Sequence, residues 1–196
     1  IFLLSCEKKQ VYLQHKTAIQ ELLDAANITW IPLNYTKKPP VVSTLLDIFK
    51  LKKAAKKIHR EHKLDMVHTR PGVPALIGLW MKKTMGVKFL NDIREFYADS
   101  RVEGGMWNTR IPMYVTIYNY FKKKEAEAVA LSDGIVCLTY VAESIIKEWA
   151  VYKPGVPLAV IPCSADLQLF DPAVIPGAEK DTFKKELNIS SDDVVI

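Results

Sequence analysis

The sequence of 196 residues predicts an α/β fold, an open parallel sheet with helices on both faces. Three observations carry this. Six apolar runs of strand length recur along the chain, each continuous in hydrophobicity as strands buried on both faces are. Helical patterns separate them, and a β-α-β-α alternation implies a parallel sheet. The composition, 49% hydrophobic and 25% charged, is that of a soluble globular domain. It excludes a disordered tail, a collagen-like fibre and a disulfide scaffold. No run approaches the roughly 18 apolar residues of a membrane span.

The strands are expected at 1–5, 29–35, 64–70, 87–94, 134–139 and 158–163, and the helices near 11–26, 41–62, 73–85, 111–131 and 140–151. In the helix at 41–62, Leu45, Ile48, Leu51, Ala55 and Ile58 recur at spacings of three and four, which predicts a stripe facing the sheet. Lys50, Lys53, Lys57 and Arg60 fall nearly opposite. The segment 50–63 holds seven Lys or Arg against Glu61, more positive charge than the net +5 of the whole chain. The basicity is therefore local, which argues against a general nucleic-acid binder. The basic stripe reads either as a solvated face or as one attracted by charge to an anionic membrane surface. Cys6, Cys137 and Cys163 lack metal-ligand spacing and read as buried, reduced thiols of a cytoplasmic protein. Residues 1–4 are apolar but have no basic region or cleavage site of a signal peptide. The chain opens inside one apolar run and closes in another at 194–196, and on this ground a fragment of a longer protein is expected.

Ligands of open parallel sheets bind outside the carboxyl ends of the strands. Here one strand runs into His68, Thr69 and Arg70, and the next into Asn91, Asp92, Ile93 and Arg94. Then follows an irregular stretch at 96–110 with Asp99, Arg101, Glu103, Gly104, Gly105 and Trp107. Long loops in compact domains are usually functional or disordered; its aromatics argue against plain disorder, which leaves a functional loop or a structural lid or interface. Charges, glycines and rings together suit a polar ligand such as a sugar, whose hydroxyls need donors and acceptors and whose faces stack on rings. Glu125 lies within the apolar stripe of Tyr114, Ile117, Tyr118, Phe121 and Ala128, so its carboxylate must find Arg70, Arg94 or backbone N–H groups in the loop. His68 reads as a structural histidine or as a site residue. No Ser-His-Asp order, CxxC pair, HExxH or GxGxxG occurs, so neither a metal nor a dinucleotide cofactor is expected.

Four stretches, taken in order, are Asp65-Met66-Val67-His68-Thr69-Arg70, then residues 91–105 (NDIREFYADSRVEGG), then Lys122-Lys123-Lys124-Glu125, and last residues 160–170 (VIPCSADLQLF). Their order and spacing resemble the N-terminal half of retaining GT-B glycosyltransferases, the large group called family 4 or group 1. In that group a strand ends in a "VHxR"-like turn, a later helix carries "K/R-x-x-E", the next strand reads "AD-x-I-x-x-x-S/T", and "IPNGVD-x-x-x-F" closes the half. The resemblance covers nearly the whole chain. It departs at Asp92, where many members have a histidine linked to acceptor or donor-sugar contact, and at Cys163-Ser164-Ala165-Asp166, which stands for "NGVD". The family's first strand, with the glycine-rich turn after it, is also unmatched, because Ile1 corresponds to the second.

The resemblance implies a Rossmann-like domain over 1–187, and 188–196 as the start of a nucleotide-sugar-binding domain. It implies a transferase that moves sugar from a nucleotide-sugar to a glycan or lipid-linked acceptor, with this half on the acceptor side and no separate cofactor. The expected acceptor-binding residues are His68, Arg70, Asp92, Arg94, Asp99, Arg101 and Glu103, with Glu125 as a buried structural charge. A non-catalytic sugar- or membrane-binding module and one half of a nucleotide-sugar 2-epimerase are the alternatives. Without its first strand, the sheet is expected to close the gap, borrow a strand or remain incomplete.

Overall fold

A computed structural model describes residues 1–39, 41–167, 170–190 and 193. The chain divides into two compact units, 1–161 and 162–196. The first is an α/β unit in which parallel strands alternate with helices. Its elements are β1 (Phe2–Glu7), α1 (Lys9–Ala25), β2 (Thr29–Asn34), α2 (Val42–His62), β3 (Met66–Thr69), α3 (Val73–Met85), β4 (Lys88–Ile93), α4 (Tyr97–Glu103), α5 (Pro112–Leu131), β5 (Gly134–Cys137), α6 (Tyr140–Glu148) and β6 (Leu158–Val160). The second unit holds a 3₁₀ turn at Pro172–Val174 and α7 (Gly177–Glu186), a helix that the apolar periodicity did not signal. The strand expected at 194–196 lies outside the described residues.

The strands form two parallel sheets, β1-β2 and β3-β4-β5-β6. Among the described residues no ladder joins β1 or β2 to the other four strands, so the strands stand in two separate sheets. One core nevertheless spans both sheets. Leu51 and Ala55 of α2, Ile77 and Met81 of α3, and Val87 are buried, and Leu4, Cys6, Leu33 and Val67 pack against them. Farther along, Phe89 of β4 is sealed between Leu79 of α3 and Ala128 of α5. Ile135, Cys137, Ile146 and Val129 then close the core over β5.

β4 is paired on both sides, and Asp133, just before β5, fixes its start. The Phe89 N–H donates to Asp133 Oδ2 at 2.7 Å, and Lys82 Nζ donates to the same carboxylate. Burial works against the charge of Asp133, but these bonds outweigh it and hold the carboxyl below its usual range.

α2 departs from its expected patterning. Leu51, Ala55 and Ile58 are buried, but Leu45 is 60% exposed and Asp47 is 4% exposed. Asp47 accepts from the backbone N–H (2.9 Å) and the Oγ1 (2.8 Å) of Thr36, and Lys50 Nζ bonds it at 3.0 Å. Lys50 also donates to the Asn34 carbonyl, so it ties α2 to the end of β2 instead of joining the solvated stripe. Burial opposes the charge of Asp47, and these bonds hold its carboxyl below the usual range. A polar clamp thus anchors the first turns of α2 where the spacing predicted an apolar contact. The thiols also differ from expectation: Cys137 is buried, Cys6 half-buried and Cys163 exposed, and none is disulfide-bonded.

Gly72, between β3 and α3, has φ +77°, and a Cβ there would lie 2.5 Å from the Tyr97 ring. Gly72→Ala combines left-handed backbone strain with this clash and is expected to destabilise the unit by about 1–3 kcal/mol. A thermal melt checks this; an unchanged melting temperature would show that Tyr97 yields freely.

Candidate functional site at the strand ends

β3 and β4 pair in parallel with His68 opposite Leu90 and Thr69 opposite Asn91, so both carboxyl ends open on one edge, as their sequence order implied. Asn91 and Asp92 are consecutive and so point to opposite faces of β4, and both are buried, at 4% and 2% exposure. Arg94 Nε donates to Asp92 Oδ2 at 3.0 Å, and His68 Nε2 lies 3.3 Å from the same oxygen. Asp92 is sealed, whereas the side chains of His68 and Arg94 are substantially exposed. A buried carboxylate therefore orients two exposed groups of donor character. Arg70 follows β3 directly and is exposed. Thr69 Oγ1 and Asp92 Oδ1 are buried here without a hydrogen-bond partner among the described residues.

Within the stretch at 96–110, expected to be irregular, Tyr97–Glu103 form the short helix α4, and 104–110 continue as turns and bends. Phe96, at its N-cap, gives no side-chain cap, and Glu125 of α5 supplies one instead. Glu125 Oε1 accepts from the Ala98 N–H at 3.1 Å, and the Tyr97 N–H also supports its charge. The first amides of a helix lack internal partners and carry partial positive charge, so a carboxylate there replaces the missing cap. Of the partners foreseen for Glu125, the structure selects the backbone N–H groups of this stretch, and Lys122 Nζ stands 3.6 Å from Oε2. Burial raises the Glu125 carboxyl above its usual range against these favourable contacts.

Asp99, Arg101 and Glu103 lie on α4. Asp99 accepts from Tyr118 Oη at 2.9 Å and from Lys122 Nζ at 2.8 Å, which ties α4 to α5. Arg101 lies over the Tyr97 ring, 4.6 Å from its centroid, and 3.6 Å from Glu95. Glu103 is exposed at the end of α4. Tyr97, Trp107 and Phe121 form one ring cluster that packs this stretch onto α5.

Beside these groups lies a narrow apolar cleft whose lining includes Gly72, Asn91, Ile93, Phe96, Glu125 and Trp149. Asn91, Gly72 and Trp149 are the contributors that sequence reasoning passed over. Asn91 carried a signal, as a polar residue inside an apolar strand; Trp149, beyond α6, carried none. No group of three or more His, Cys, Asp or Glu among the described residues is placed to hold a metal ion.

No protein-family model matches the chain, and no curated protein sequence matches it. Among solved structures it is similar to sucrose-phosphate synthase from Thermosynechococcus elongatus. One structure of that enzyme superposes with a TM-score of 0.60 at 15% identity, over 98% of this chain and 53% of the other. A second gives a TM-score of 0.50 at 13% identity, over 95% and 99% of the two chains. This chain thus spans about half the length of the first neighbour. The likeness shows the fold, a Rossmann-like α/β unit of parallel strands flanked by helices.

The position of Glu125 leads to a test of stability. Glu125→Ala leaves the Ala98 amide without its acceptor and is expected to cost about 1–3 kcal/mol, whereas Glu125→Gln retains an acceptor and costs less. The raised carboxyl makes its stabilising contribution fullest below the usual glutamate range, and that contribution is lost as pH rises through the elevated value. Thermal melts across this range should therefore show the native protein losing stability relative to the Gln variant as pH rises. Parallel pH profiles would contradict the assignment.

Proposed function

We propose that this chain is the acceptor-side half of a retaining glycosyltransferase that moves a sugar from a nucleotide-sugar to a glycan or lipid-linked acceptor. The observation that carries the reading is the trio of His68, Asp92 and Arg94 at the carboxyl edge of β3 and β4. The Rossmann-like fold supports it, since ligands of open parallel sheets lie at that edge. In this reading Asp92, itself sealed, holds His68 and Arg94 in fixed orientations. Arg94 and Arg70 then present guanidinium groups to hydroxyl or anionic groups of the acceptor by charge-assisted bonds. His68, fixed through Nε2, offers its other ring nitrogen to an acceptor hydroxyl. Asp99, Arg101 and Glu103 belong to the same acceptor region through α4, with Asp99 and Arg101 acting through the helix they hold in place. The nucleotide-sugar is gripped by a second domain, and the reaction proceeds when the two close around the acceptor hydroxyl and the anomeric carbon.

This reading makes the 196 residues alone inactive, with no turnover of any nucleotide-sugar; a transfer rate measured on them, free of contaminating enzyme, would contradict it. In the two-domain enzyme, Arg94→Ala should lower transfer per folded molecule roughly tenfold to a hundredfold, and because it leaves the buried Asp92 one partner short it should lower the melting temperature as well. Unchanged activity per folded molecule would remove Arg94 from the site.

A further inference from the structure

The outer face of α2 is amphipathic along its length and not, as its basic residues alone suggested, a stripe of charge. Val42, Leu45, Leu46 and Phe49 are all exposed, Phe49 by 67%. Lys53, Lys56, Lys57 and Arg60 continue the same face and are exposed as well. At about 100° per residue the eight positions fall within an arc of roughly 120°. The opposite arc holds Asp47, Leu51, Ala55 and Ile58, which are buried, so the helix is fixed in rotation and cannot turn its outer apolar residues inward. The other two basic residues of the helix do not share this face. Lys50 is engaged by Asp47 and Asn34, and Lys52 lies 5.2 Å from the centroid of the Trp80 ring.

From this juxtaposition we propose that α2 docks the chain on an anionic lipid bilayer, lying in the interface with its first turns inserted and its last turns on the headgroups. The argument is one of chemistry. A protein partner would cover the apolar turns but gives no reason for four cations in continuous register with them. Nucleic acid would meet the cations and leave Phe49 and Leu45 in water. An anionic bilayer surface satisfies both halves, with acyl-chain boundary for the apolar residues and headgroup phosphates for the lysines. Among the described residues no helix is long and apolar enough to cross a membrane, so α2 would rest on the surface. This inference is independent of sugar transfer and holds for any reaction at the strand ends.

The experiment is vesicle co-sedimentation of the native chain on neutral phosphatidylcholine and on phosphatidylcholine mixed with anionic phosphatidylglycerol. Binding is expected on the anionic vesicles and should weaken with added salt. Leu45→Ser with Phe49→Ser should reduce it tenfold or more, by roughly the loss of two inserted side chains. Lys53→Gln with Lys57→Gln should reduce it about fivefold per charge. All four positions are exposed, so the variants are expected to melt like the native protein, and the melt is recorded alongside. Equal binding to neutral and anionic vesicles overturns the proposal. So does full binding by the Leu45/Phe49 variant, which would leave charge alone. So does absence of binding to the anionic vesicles; self-association that Phe49→Ser abolishes would then assign the face to a second copy.

Discussion

The parallel pairing of β3 with β4 is the constraint from which the strand-end site follows. The register of Thr69 against Asn91 sets His68 and Asp92 close enough to share one carboxylate oxygen. A slip of one residue would reverse the faces of β4 and take Phe89 out of its place between Leu79 and Ala128. The register is held from outside the ladder as well. Asp133 takes the Phe89 amide at the start of β4, and Phe89, fully buried between α3 and α5, fixes which face turns inward. The site is thus positioned by core packing and by one carboxylate on the far side of the strand, and not by contacts of its own.

Two carboxylates near this edge, Asp92 buried and Glu125 partly buried, illustrate different solutions to one problem. An ionised group taken out of water must be paired or hydrogen-bonded. Asp92 meets this with the guanidinium of Arg94 and the ring of His68, and so spends its charge on groups that face solvent. Glu125 meets it with backbone amides of α4, and so spends its charge on structure. The second arrangement makes a helix out of 97–103, which would otherwise begin without a cap. It also sets Tyr97 against Gly72, a residue of the cleft wall. The structural carboxylate therefore shapes the site without belonging to its exposed chemistry.

Much of this was legible in the sequence, because apolar runs and their order report burial and topology directly. The six strands, the parallel adjacency of β3 and β4 and the burial of Glu125 followed from periodicity and one misplaced charge. What escaped depended on contacts between distant residues. α4 has a weak local signal, since its cap sits on α5, far along the chain. Asp47 carried no signal in the sequence, because its partner, Thr36, lies before the helix. Leu45 was read as core from spacing alone, but the Asp47 clamp and the buried arc of Leu51, Ala55 and Ile58 set the rotation of α2 and left Leu45 outside. At the site, the sequence named the residues but not their grouping. His68, Asp92 and Arg94 converge, whereas Asp99 is claimed by Tyr118 and Lys122.

The central claim is that the edge formed by β3 and β4 binds a sugar. Its most direct test is a titration of the isotope-labelled 196-residue chain with mono- and oligosaccharides and their phosphates, followed by amide and imidazole chemical shifts. The account predicts saturable perturbations centred on His68, Arg70 and Asn91 to Arg94, lost when Arg94 is replaced by alanine. Perturbations confined to other surfaces, or none at this edge with any saccharide of the panel, would contradict it.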